Sequence, residues 1–242
     1  MTVEATPTVS LEAWVREHEP ERTIWLAGYP RAGAALIRTI LVHCFGHATA
    51  SIYDETQIGP EYEDAVSMVR MPISLDELAG MLQDQGALVI KTHQHASQDG
   101  EPNRTIVIVR DGRRMFESLR AFYRERNGLQ YSMTELIEGR HLWGDWTAWI
   151  RSWHDRGRGD TLWLRYEDIM ENVPWAVEQI GRHIHCEPTG YEIPAFETLR
   201  SHTPTIFRKA SMTGNGGMTP AEEELFWLCH GSTMTMLGYH RV

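Results

Sequence analysis

Lysine is almost missing from this chain. Of its 242 residues 23 are basic, and only Lys91 and Lys209 are lysine; the other 21 are arginine. Positive charge is short overall, because 33 acidic residues leave a formal net charge of −10. That balance argues against coating nucleic acid, which needs a basic face. An anionic small ligand is not excluded, since a pocket can be locally positive on an acidic protein. Cysteine is scarce as well. Cys44, Cys186 and Cys229 are scattered, odd in number and without metal-ligand spacing. This excludes a disulfide framework and suits a reduced, cytoplasmic compartment. No apolar run approaches the roughly 18 residues of a membrane span. The opening stretch MTVEATPTVSLEAWVREHE has no basic n-region and no apolar core, so no signal peptide is expected. Repeats, low-complexity tracts and dividing linkers are also lacking, which predicts one domain over 1–242.

What is present is an alternation. Short apolar, β-branched runs at 23–27 (TIWLA), 87–91 (ALVIK), 105–109 (TIVIV) and 161–165 (TLWLR) read as buried strands. Helical periods lie between them. One covers Ala34–Phe45 and another starts at the capping box Ser74-Leu75-Asp76-Glu77 and runs toward Leu82. A third spans Gly112–Arg126, and a fourth, 141–156, carries Trp146, Trp149 and Trp153 at helical spacing. Strands alternating with helices predict an α/β domain with a central parallel sheet flanked by helices. Such sheets bind ligands at the carboxyl ends of their strands.

Each of the four strands ends in pointed chemistry. After the first comes a turn with Gly28, Pro30 and Gly33, which have P-loop-like spacing. Yet Ala34 and Ala35 stand where a nucleotide kinase needs Lys and Ser/Thr, so Mg-nucleotide binding of that kind is excluded. Backbone N–H groups of a glycine turn and a helix N-terminus can still cradle an anion without those side chains. The second strand leads to Lys91-Thr92-His93, where a histidine titrating near working pH suits deprotonation of a hydroxyl. The third leads to Arg110, with Ser118 eight residues on, a pair able to grip a phosphate. The fourth leads to Tyr166-Glu167-Asp168. Taken singly, each has an ordinary reading too: a plain corner, a surface histidine, a salt-bridged arginine, strand-to-helix punctuation.

As an ordered set, these strand ends resemble the cytosolic type of PAPS-dependent sulfotransferase (PAPS is 3′-phosphoadenosine-5′-phosphosulfate). That family carries a YPKSGTTW-like loop, a KTH, an arginine eight residues ahead of a serine, a YED and a late RKG. This chain has Tyr29-Pro30-Arg31-Ala32-Gly33-Ala34-Ala35-Leu36, then Lys91-Thr92-His93, Arg110 with Ser118, Tyr166-Glu167-Asp168, and Phe207-Arg208-Lys209-Ala210. Gly144-Asp145-Trp146 and the MLGY at 236–239 also look like family features. Both surviving lysines fall inside the pattern.

The resemblance implies roles. His93 would be the catalytic base on an acceptor hydroxyl or amine. Arg31 would take the loop lysine's place on the bridging oxygen of PAPS, and Lys91 would position the sulfuryl group or the acceptor. Residues Ala32, Gly33, Ala34, Ala35 and Leu36 would cradle the 5′-phosphosulfate through backbone N–H groups, without metal. Arg110, Ser118 and Arg208 would hold the 3′-phosphate, completed by Lys209 and the backbone of Ala210, with Tyr166 on the adenine. The implied co-substrate is PAPS, leaving as PAP, and the implied partner is a small-molecule acceptor; a homodimer is compatible with the family. By analogy, 1–20 is an N-terminal extension, 46–72 an acceptor-side lid and 205–220 a loop over the nucleotide. By association, arginine-rich composition points to a bacterial enzyme tailoring secondary metabolites such as antibiotics. The departures cluster in the loop: Arg31 for Lys, Ala34 and Ala35 for hydroxyl residues, Leu36 for an aromatic. Each lost hydroxyl bond could cost about 1–3 kcal/mol if its partner stays unpaired. An altered donor such as an aryl sulfate, another group transfer, and a non-catalytic nucleotide-binding protein therefore stay open.

Overall fold

Five short strands pair in parallel in the order β2-β3-β1-β4-β5. They are β1 (Thr23–Gly28), β2 (Ala48–Ser51), β3 (Leu88–Thr92), β4 (Thr105–Val109) and β5 (Thr161–Arg165). The computed structural model describes residues 23–53, 55, 60–68, 87–96, 104–155, 161–204, 206–208 and 214–241, with the backbone alone at 126, 127 and 202. The expected N-terminal extension, the capping-box helix after Ser74, Lys209 and Ala210 lie outside the described residues.

β1 is fully buried along its length, so its apolar run is continuous rather than alternating. One face packs Ile24, Leu26, Ile106 and Ile108 against α1 (Ala34–Phe45) and α7 (Val173–Ile184). The other packs Ala27, Val107 and Val109 against α3 (Gly112–Phe122), α5 (Trp146–His154) and α9 (Pro220–Met236). The remaining described helices are α2 (Pro60–Ala65), α4 (Met133–Ile137), α6 (Tyr166–Glu171) and α8 (Phe196–His202). Truncating a core side chain such as fully buried Ile40 to Ala would cost about 2–5 kcal/mol.

Four strands were readable from the sequence; β2 was not. Its ATAS is short, small and half polar, with little β-propensity. It becomes a strand because β3 offers it a free edge, pairing Ala48 with Leu88 through Ser51 with Lys91. The segment 46–72, expected as an acceptor-side lid, thus contributes at 48–51 a buried edge strand of the sheet. The helix expected from 141 begins at Trp146 instead, because Gly144 turns at φ 70° and Asp145 caps the helix through the Ala148 N–H. α3 runs on into a π-helical turn, Tyr123–Asn127, closed by left-handed Gly128. Such turns recur where a helix lines a site.

The chain leaves β1 toward β2 and β3, then crosses to β4 and β5 on the other side. The strand order thus switches direction at β1, and the crevice at its carboxyl end is where open α/β sheets hold ligands. Register brings Ala27 level with Thr92 and Gly28 level with Ile108, so Tyr29, His93 and Arg110 leave the sheet along one edge.

Candidate active site

The loop after β1 closes through a turn in which the Ala32 N–H donates to the Tyr29 carbonyl at 3.0 Å. Arg31 and Gly33 both take positive φ, 74° and 121°. Gly33 is required twice over. Its φ suits glycine, and a Cβ there would stand 2.7 Å from the Tyr166 ring and 2.9 Å from Ile108. Gly33 is also the N-cap of α1 and supplies no side-chain cap. The first amides of α1 are thus left to face the crevice with the positive end of the helix dipole. Tyr29 is buried, with its hydroxyl donating to the Gly144 carbonyl at 2.6 Å and lying 3.0 Å from His141 Nε2. It anchors the turn that carries Trp143 against His93, ring centroids 5.2 Å apart.

His93 is clamped on every side. Its N–H donates to the Tyr53 hydroxyl at 3.0 Å, and its carbonyl accepts from the Trp149 indole at 2.8 Å. The Trp149 and Trp153 indoles both bond the next carbonyl, that of Gln94. The tryptophan spacing that marks α5 as a helix thus also fixes the strand end. His93 Nδ1 lies 2.5 Å from the Gly28 carbonyl. A carbonyl only accepts, so Nδ1 carries the proton and Nε2 keeps its lone pair. Burial, helped by the nearby Lys91 ammonium, brings the imidazole down to about 3 against the opposing Gly28 hydrogen bond. The ring is a neutral base across the working pH range.

Beneath it lies a buried triad. Lys91 Nζ pairs with Glu55 Oε1, and Arg38 Nη1 with Glu55 Oε2 at 2.6 Å. Arg38 also bonds Thr49 Oγ1 at 2.9 Å and the Tyr62 hydroxyl at 3.0 Å. Burial pushes the Glu55 carboxyl up, but Lys91 and Arg38 outweigh it and bring it down to about 2. Burial lowers Lys91, with Glu55 opposing. Two cations against one anion leave a net positive charge under His93. Removing one partner of such a cluster costs about 3–5 kcal/mol.

A second cationic group stands across the crevice. Arg110 lies over the Tyr166 ring at 4.7 Å and donates to the Arg31 carbonyl at 3.3 Å, while its buried Nε has no hydrogen-bond partner. Arg114 Nε is buried and unpartnered as well, while its Nη2 and Nη1 lie 3.8 Å from Asp111 and 4.0 Å from Glu167. Arg208 pairs with Glu125 of the π-turn at 2.5 Å. Among the described residues no carboxylate pairs with Arg31 or Arg110. Arg31 is the surprise. Its Nε donates to Ser118 Oγ at 3.1 Å, its Nη2 to the Ile206 carbonyl at 2.9 Å, and its guanidinium lies 5.1 Å from the Phe122 ring centre. Ser118 and Phe122 are one helical turn apart on α3 and offer a guanidinium a hydroxyl and a ring together. Arg31 is thus seated against α3 beside Ser118 and Phe122.

All this surrounds one cavity of about 910 Å³. Its wall includes Arg31, Gly33, Ala34, Ala35, Leu36, Lys91, His93, Arg110, Ser118, Tyr166 and Arg208. Residues up to 177 positions apart in sequence are thus brought together. Ala32 is buried behind the wall and does not line it. Tyr53 and Tyr62, carried by the segment 46–72, line the cavity too, and so do Glu55, Trp143 and Arg114, which sequence reasoning did not single out. Tyr53 and Glu55 follow the strand that was not recognised; Trp143, just before Gly144-Asp145-Trp146, could have been found there. Of the expected nucleotide-covering loop, 205–220, the described residues Ile206, Phe207 and Arg208 line the cavity and 214–220 do not; Gly216 packs on the Arg113 carbonyl so closely that a Cβ would meet it at 2.2 Å. Among the described residues no cluster of His, Cys, Asp or Glu is arranged to hold a metal, and no helix is long and apolar enough to cross a membrane.

Comparison with known proteins fits this geometry. The profile of the sulfotransferase domain matches residues 21–209. No curated protein sequence matches the chain. Among solved structures, the chain resembles mouse sulfotransferase SULT7A1, solved with PAP, at 17% identity and a TM-score of 0.64, covering 91% of this chain and 90% of that one. It also matches a retinol dehydratase solved with retinol and PAP, at 13% identity and a TM-score of 0.47, over 90% of this chain and 80% of that one.

Proposed function

The chain belongs to the sulfotransferase domain family, and on that premise we propose that it transfers a sulfuryl group from PAPS to a hydroxyl or amine of a small molecule, with His93 as base. One observation carries the reading. A single cavity joins an imidazole whose free nitrogen is fixed by Gly28 to an uncapped helix N-terminus and to arginines with unpartnered N–H groups.

The residues present suit the donor. Arg110 and Arg114 keep buried N–H donors that a phosphate would satisfy, and Tyr166 offers a ring beside them for the adenine. The structural neighbour SULT7A1 was solved with PAP, which supports the same nucleotide here. PAPS supplies an activated sulfuryl group. His93 Nε2 takes the acceptor's proton as the acceptor atom bonds sulfur and the S–O bond to the 5′-phosphate breaks. The electron pair departs on that phosphate oxygen, where the α1 amides and the Lys91 ammonium stabilise it. The cavity holds both partners in line, which removes the entropy of bringing them together. Tyr53, Glu55 and Tyr62, all from 46–72, form wall on the acceptor side.

Calorimetric titration with PAP, against AMP and Mg-ATP, tests the reading without knowledge of the acceptor. Micromolar or tighter binding that requires the 3′-phosphate is expected. Equal affinity for PAP and AMP, or none for either, would overturn it.

A further inference from the structure

The loop lysine's replacement is more than a change of side chain. Arg31 leaves the loop at positive φ and reaches α3, where Ser118, Phe122 and the Ile206 carbonyl hold it. A guanidinium has five N–H donors. Two are engaged here, so three remain, in a fixed fork. Ser118 accepts from Arg31 and keeps its own hydroxyl proton to donate. Arg110, one bond away through the Arg31 carbonyl, adds its unpartnered Nε. We propose that Arg31, although it comes from the 5′-phosphosulfate loop, binds the 3′-phosphate of the nucleotide together with Arg110, Ser118 and Arg208. This rests on the PAPS reading above and assigns Arg31 differently from the bridging-oxygen role that loop position implied.

Charge supports the assignment. Burial, then the neighbouring Arg110 and Arg208, pulls the Arg31 guanidinium down to about 10. Among the described residues neither Arg31 nor Arg110 has a carboxylate at ion-pair distance, and Glu125 is paired with Arg208, so a dianion would relieve the crowding. The other end of the cavity does not need Arg31, because Lys91 and the helix amides stand there already. The loop's cation has in effect moved along the nucleotide. Arg31 then decides whether the protein can tell PAP from AMP, and it has no direct hold on the breaking S–O bond.

Binding, not turnover, reads this out. Wild-type protein, Arg31→Met, Arg31→Lys and Ser118→Ala are titrated with PAP and with AMP, folding being checked by thermal melts. The expected result is a loss of PAP affinity of about tenfold to a hundredfold in Arg31→Met, with AMP affinity within about twofold. Arg31→Lys keeps the charge but not the fork, so it loses less, as does Ser118→Ala. Two results would overturn the assignment: PAP and AMP weakened equally, or a PAP preference that survives Arg31→Met. If wild-type protein itself shows no preference, the PAPS reading fails and the assignment with it; a wild-type preference that Arg31→Met retains sinks the assignment alone.

Discussion

The two ends of the cavity are built by opposite rules. Around His93 almost every polar group is already spoken for: Nδ1 by Gly28, the backbone by Tyr53 and Trp149, Lys91 by Glu55. Among these buried groups Arg38 Nη2 is the exception, with no partner. Across the crevice, among the described residues, Arg110 and Arg114 hold buried N–H groups with no partner, and no carboxylate lies within ion-pair distance of Arg31. A saturated network has one geometry and one tautomer, which a proton transfer needs. An incompletely paired cluster of cations carries a standing desolvation cost that an incoming anion would offset. On the proposed reading, the contrast places chemistry at one end and nucleotide recognition at the other.

The sharpest way to break that division is His93→Gln. Turnover should fall by about 100-fold to 10,000-fold, the usual share of a general base, while PAP affinity stays within about twofold. Single-turnover rates and calorimetry on the same preparation would check both; an affinity that fell with the rate would erase the distinction between the ends.

A gentler change sharpens it from the other side. The loop offers the 5′-phosphate only backbone amides, since Ala34 and Ala35 carry no hydroxyl. Ala34→Ser with Ala35→Thr should tighten PAP by about threefold to tenfold, in line with one or two added hydrogen bonds. The smaller residue is used at Ala34 because that site is buried. The same calorimetry decides it, and unchanged affinity would mean that the loop does not face the 5′-phosphate.

The smallest expected effect is an absence. With the His93 imidazole held down to about 3, kcat/KM for an acceptor that does not itself titrate should stay flat from about pH 8 to about pH 5, with no acid limb near 6.5. Stability follows the same sign. His93 is lowered in the folded state, so the unfolded chain binds the extra proton; the contribution is complete above about pH 6.5 and is lost as pH falls toward about 3. A kinetic limb near 6.5 would show that the imidazole is solvated in the working enzyme.

Much of this was open to reading from the residues. The apolar runs that became β1, β3, β4 and β5, the glycine turn without a following lysine, and the pointed residues at four strand ends all announce themselves through local chemistry. β2 did not, because ATAS has no pattern of its own and pairs only when β3 presents an edge. Glu55 was lost with it. Its carboxylate acquires meaning only when Lys91, 36 positions away, and Arg38, 17 away, close on it.

Sequence alone, then, determined the alternation of strands and helices, the need for glycine at 33, and the set of cations and the histidine gathered at the sheet's carboxyl edge. Those follow from hydrophobic period, backbone sterics and residue type, which act over a few neighbours. Only the tertiary structure decided which nitrogen of His93 holds the proton and where Arg31 points. A long, charged side chain goes where partners wait, and those of Arg31 lie 87 and 175 residues down the chain.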